Sequence, residues 1–152
     1  MADDTASKAV ESLGTLVGKW TMEVSFPGEP PAGGATLDFE WLAGERFLIQ
    51  RWEVPVPEAP DGIAIIGYDP LRGTLLQHYF DSRGIARIYE MSLGNGVWKL
   101  ERRKEDFSPL EFSQRYTGRF KDGGKVIEGT WEISHDHSNW EKDFDLTYTR
   151  VG

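Results

Sequence analysis

Gly18-Lys19-Trp20-Thr21-Met22-Glu23-Val24-Ser25-Phe26 decides the fold class. Trp20, Met22, Val24 and Phe26 fall on one parity and Thr21, Glu23 and Ser25 on the other, the period of a half-buried strand. Upstream the rhythm differs. Over residues 6–17, Val10, Leu13 and Val17 recur at spacings of three and four, which predicts a short amphipathic helix weakened by Gly14. The period therefore drops from about 3.6 to 2 at Gly18 and does not return.

Working outward, Pro27 to Gly34 reads as a loop, and nine further strands are expected at 35–43, 46–54, 62–69, 73–81, 84–93, 97–104, 110–120, 125–134 and 140–150. Their separators are mostly short, and Asn95-Gly96 is a strong hairpin signal. Ten strands with no helix between them exclude a parallel βαβ sheet, and no fixed-period repeat suggests a propeller or solenoid. The prediction is an all-β fold: a ten-stranded antiparallel up-and-down β-barrel with a short N-terminal helix, spanning 1–152 as one domain. A two-sheet sandwich is the rival. Short sequential connections favour the barrel, which removes its own edges by closing.

Composition narrows the partners. The chain has 152 residues, enough for one domain with a full core. Seventeen Lys and Arg against 25 Asp and Glu leave a formal charge of −8, which argues against a nucleic-acid partner. Cysteine is absent, so disulfides, thiolate ligands and cysteine catalysis are excluded. No run of 18 apolar residues predicts a membrane span, and Met1-Ala2-Asp3-Asp4-Thr5 lacks the order of a secretory signal, so the expected compartment is the cytoplasm. There is no Gly-x-Ser-x-Gly, Walker A, dinucleotide or His-Glu-x-x-His motif. His135-Asp136-His137 reads as a solvated hairpin tip, because two imidazoles lack the further ligands that zinc needs.

Parity predicts which side chains enter the barrel. The sets expected inside are Leu48, Gln50, Trp52 and Val54; Leu76, His78 and Phe80; Trp98, Leu100 and Arg102; Leu110, Phe112, Gln114, Tyr116 and Phe120; Ile127, Gly129, Trp131 and Ile133; and Trp140, Lys142, Phe144, Leu146 and Tyr148. Gln50, His78, Arg102, Gln114 and Lys142 thus travel with large apolar residues. Buried polar groups are costly without partners, so their clustering points to a wet or ligand-filled interior. The alternative is that some parities slip at a bulge, or that the charged groups sit at a mouth.

Certain segments carry a resemblance. Gly18-Lys19-Trp20 after a short helix resembles the Gly-x-Trp signature of lipocalin-like (calycin) barrels, and Arg150 matches the basic last-strand residue that those barrels often set against the Trp. Trp41-Leu42-Ala43-Gly44-Glu45-Arg46-Phe47-Leu48, Gly62 to Pro70 and Tyr79-Phe80-Asp81-Ser82-Arg83-Gly84 resemble an uncharacterised bacterial family of such domains. The resemblance implies a barrel and a cavity, and no established reaction. The chain is also distantly similar to nitrobindins, whose haem iron takes a His on the last strand. Residues 140–152 hold no His, so a haem is not expected and no cofactor or metal is assigned.

Two function classes follow. One is a binding protein for a small, partly apolar molecule, neutral-polar or anionic, held by Trp52, Trp98 and Trp131 and oriented by His78, Arg102, Gln114 and Tyr116, with Gln50 and Lys142 on the same wall. The other is an enzyme using His78 as acid or base and Arg102 or Lys142 as anion stabiliser. That reading lacks an inward carboxylate beyond Asp38. An interaction role with a filled barrel is a third option, and a homodimer is left open.

Overall fold

The computed structural model describes residues 2–55, 59–107 and 109–151, with side chains from residue 5 onward. Ten antiparallel strands close into one barrel in chain order, and the first pairs with the last. They are β1 (Gly18–Ser25), β2 (Ala32–Trp41), β3 (Leu48–Glu53), β4 (Gly62–Asp69), β5 (Thr74–Asp81), β6 (Ala86–Gly94), β7 (Val97–Arg102), β8 (Ser113–Lys121), β9 (Val126–Ser134) and β10 (Glu141–Val151). Among the described residues, no helix is long and apolar enough to cross a membrane.

The helix α1 (Ala2–Ser12) starts earlier than the periodicity suggests. At Leu13, just ahead of Gly14, it tightens into a 3-10 turn (Leu13–Leu16). Three residues apart, Leu13 and Leu16 share one side of such a turn, and both are fully buried. The helix reaches from the start of β1 toward β4 and β6 on the far wall, and so closes one barrel end. Trp20 donates its indole N–H to the Leu16 carbonyl at 2.9 Å and anchors this plug.

Above the plug the inner wall is packed solid. Trp98 meets Phe39, Tyr116 and Tyr148 with ring centroids 6.0, 4.9 and 5.8 Å apart. Leu48, Ile66 and Ile127 fill the gaps. Tyr116 lies along the wall rather than across the barrel, over the cross-strand pair Gly118 and Gly129. A Cβ on either glycine would overlap the Tyr116 ring or hydroxyl, so close approach, not turn geometry, requires glycine inside these strands.

One register irregularity changes the reading of the last strand. A bulge between Lys142 and Phe144 shifts β10 against β9 by a residue. Downstream, Phe144, Leu146 and Tyr148 face inward as expected, while Lys142 is turned to the outer face.

Candidate functional site in the aromatic half of the barrel

Opposite the helical plug the inner wall is aromatic, with Trp52, Tyr79, Trp131 and Phe144 only partly buried and Tyr89 fully buried. A chain of ring contacts crosses this half. Trp52 stacks on Tyr79 (5.4 Å), Tyr79 meets Tyr89 (6.1 Å), and Tyr89 meets Trp131 (5.5 Å). Trp131 then stacks on Phe144 (6.4 Å), and Phe144 meets Phe26 (5.3 Å). Alternation places all six on the inward parity of their strands or strand ends. Below them the Gln77 amide donates to the Gln50 carbonyl oxygen at 2.9 Å, which joins the two buried amides. The Tyr89 hydroxyl donates to Gln114 Oε1 at 3.0 Å.

Two cations face this end, in different states. Arg102 is buried and grips Asp106 with two hydrogen bonds, Nε to Oδ2 at 2.9 Å and a terminal nitrogen to Oδ1 at 3.0 Å. Asp106 also accepts from the Ile88 amide at 2.8 Å, which β7, ending at Arg102, leaves without a strand partner. Arg87 points inward two residues before Tyr89 and lies 5.5 Å over the Phe112 ring. Among the described residues its buried Nε has no hydrogen-bond partner. At the rim, Asp81 accepts from the Tyr79 hydroxyl at 2.6 Å and from Arg83 at 2.7 Å. Burial would raise the Asp81 carboxyl, but the bonds from Arg83 and Tyr79 outweigh it and hold the group below the ordinary carboxylate range. Burial, and then the bond to Asp81, pushes the Tyr79 phenol far above its usual range.

The nine residues singled out from the sequence are thereby sorted. Gln50, Trp52, Gln114 and Trp131 lie on the inner wall of the aromatic half. Trp98 and Tyr116 are inward too, but belong to the packed layer, each 1% exposed. Among the described residues, the buried Trp98 indole N–H and Tyr116 hydroxyl have no hydrogen-bond partner. Arg102 is inward, yet its charge is taken up by Asp106. His78 is a correction: Leu75, Gln77 and Tyr79 are the inward set of β5, and His78 faces out between Ile65 and Ile88. Both parities of that strand are apolar (Leu75 and Leu76, Tyr79 and Phe80), so hydrophobicity could not separate them. Lys142 is the second correction, moved outside by the bulge and bonded to Asp145 at 3.1 Å. Asp38 also faces out, opposite Lys19 and Arg51. His78, Arg102 and Lys142 are therefore not gathered into one acid–base site.

Sequence reasoning missed Gln77, Tyr79 and Asp81 through the parity error on β5, and Arg87 and Tyr89 because β6 was not assigned a face. The signal was present in the alternation Arg87, Tyr89, Met91, Leu93. None of the three histidines is on the inner wall. His135 and His137 are exposed in the β9–β10 turn, where Asp136 accepts from Ser138, Asn139 and Ser134 and His137 Nδ1 contacts Ser113 Oγ at 2.8 Å. The inner wall thus offers no imidazole to a haem iron. Among the described residues, no group of three or more His, Asp or Glu could hold a metal ion. Two open grooves, of about 460 and 430 Å³, lie on the outer wall. The first is polar, and its Arg115 is bonded to Glu132 at 2.8 Å and stacked 4.2 Å over Trp140.

The fold has a solved counterpart. The chain is similar to Rv2717c from M. tuberculosis. The TM-score is 0.60 and the identity 14%, over 95% of this chain and 98% of that chain. The likeness to Rv2717c is one of fold. No protein-family model and no curated protein matches the chain.

Proposed function

We propose that the aromatic half of the barrel binds a small, partly apolar molecule between Trp52, Tyr79, Tyr89 and Trp131. The observation that carries this reading is the run of six aromatic rings at one end of a barrel whose other end is sealed. Rings that served only as core would be buried as completely as Trp98 and Tyr116, whereas Trp52 and Trp131 retain exposure. Aromatic walls with a few placed polar groups are the usual make-up of a small-ligand site. Lipocalin-like barrels, which the Gly-x-Trp segment resembles, are consistent with that role.

The pairing of Arg102 with Asp106 changes which residue would meet an anion. Arg87, with its unpartnered Nε, takes that role, and the Gln114 amide serves a neutral polar group. Two probes test this: the anionic 8-anilinonaphthalene-1-sulfonate and its neutral analogue N-phenyl-1-naphthylamine. Both should quench tryptophan fluorescence, and Trp131→Phe should remove much of the quenching while Trp140→Phe leaves it. Arg87→Gln should weaken the anionic probe about tenfold more than the neutral one, as loss of a charge-assisted hydrogen bond does. Saturable binding of neither probe, or quenching untouched by Trp131→Phe, would overturn the assignment.

A further inference from the structure

The outer wall of the barrel is divided by charge. On one side a cross-strand row runs Glu90, Glu101, Arg115, Glu132 and Lys142, in register from β6 to β10. On the other, the outward row across β3 to β6 is Ile49, Ile65, His78 and Ile88, which carries no carboxylate, Lys or Arg. The row beside it, Arg51, Ile63, Phe80 and Ala86, is charged only at its Arg51 end. Ile65 and Phe80 are both more than a third exposed, and Phe107, two-thirds exposed, lies 6.5 Å from the Phe80 ring. Outward positions of an antiparallel barrel are normally polar, so β4 and β5 read as strands meant to be covered on both faces.

The geometry points to a second copy of this chain as the cover. The chain carries −8 overall, so a basic partner would be drawn to its acidic surfaces rather than to its uncharged one. The face is also complementary to itself. Arg51, beside Ile63 on β3 and ion-paired in its own chain with the exposed Glu40, and Glu90, beside Leu76 on β6, occupy diagonally opposite corners, so the dimer exchanges an exposed pair within one chain for a pair across the interface. A twofold axis lying in the face along the other diagonal sets Arg51 of each copy against Glu90 of its partner. The strands of the two copies then cross at nearly right angles, one of the two preferred ways for sheets to pack. Four strands about 4.8 Å apart and three outward rows about 7 Å apart make roughly 400 Å² per copy, with Phe107 extending the edge. About 800 Å² in total is smaller than a stable specific interface, so the dimer is a weak, reversible one.

Sedimentation equilibrium over about 1–500 μM tests this, with dimer formation expected inside that range. Ile65→Lys, on the exposed face, should weaken the dimer at least tenfold through uncompensated buried charge while leaving the circular dichroism spectrum and melting temperature near those of the parent. Arg51→Glu should weaken it as well, and adding Glu90→Arg should restore it. A parent that stays monomeric throughout, a dimer indifferent to Ile65→Lys, or a charge swap that fails to rescue Arg51→Glu overturns the proposal.

Discussion

The guanidinium carbon of Arg150 sits 4.2 Å from the centre of the Trp20 ring, and the same side chain donates to the carbonyls of Val17 and Thr15 at 2.6 and 2.7 Å. One arginine on the last strand thereby joins three things: the first strand, the turn ahead of it and the plug below it. Gly18 fits because its φ is +133° and because a Cβ there would lie 2.7 Å from the guanidinium. The Gly-x-Trp segment and the terminal arginine are thus one structural device at the closed end, remote from the aromatic half.

Trp20 is 1% exposed, and Trp20→Ala should destabilise by about 3–5 kcal/mol, as large-to-small core changes do. Arg150→Lys should recover little of the loss caused by Arg150→Ala, because an ammonium can neither stack as a plane nor reach both carbonyls. Urea unfolding measures both; a Trp20→Ala midpoint within error of the parent contradicts the arrangement.

Arg102→Ala should act on stability before it acts on binding. The two partners' side chains are 1% and 5% exposed, so truncating the arginine strands the Asp106 carboxylate and should cost about 3–5 kcal/mol. Arg102→Ala with Asp106→Ala should cost clearly less than the sum of the two single changes. Additive losses in urea melts would show that the pair is not a unit.

Gly129→Ala should be far more damaging than an ordinary Gly→Ala change in a strand, since the new methyl meets the Tyr116 ring. Combining it with Tyr116→Ala should relieve part of that penalty, leaving the double variant more stable than additivity allows. Thermal melts of the four proteins decide the matter.

The barrel should be sensitive to alkali. Burial raises the phenol pKa of Tyr79, Tyr89, Tyr116 and Tyr148 above the ordinary value. Above about pH 10 the unfolded chain sheds these protons and the folded chain keeps them. Stability is therefore intact below that pH and falls as pH rises through it, by roughly 1.4 kcal/mol per pH unit for each tyrosine held. Tyrosinate absorbance should show four tyrosines resisting ionisation at pH 10–11 and then appearing together with loss of circular dichroism. Gradual ionisation in the folded state would count against their burial.

Strand number, order and closure were legible in the sequence because each strand alternates and each separator carries its own turn residues, which are local properties. Even the link between Trp20 and Arg150 could be expected from a resemblance. What local pattern could not decide was the facing of β5, where Leu75-Leu76 and Tyr79-Phe80 make both parities apolar. It needed the neighbouring strand, since Gln77 turns inward to meet Gln50 and leaves His78 outside. Nor did alternation betray the bulge that expels Lys142, because an inserted residue shows only against the partner strand's register. The state of Arg102 was hidden for the same reason. Its neutralising carboxylate, Asp106, lies in a loop whose path follows from the strand end that it caps, and a charge is quenched by distance in space, not by spacing along the chain.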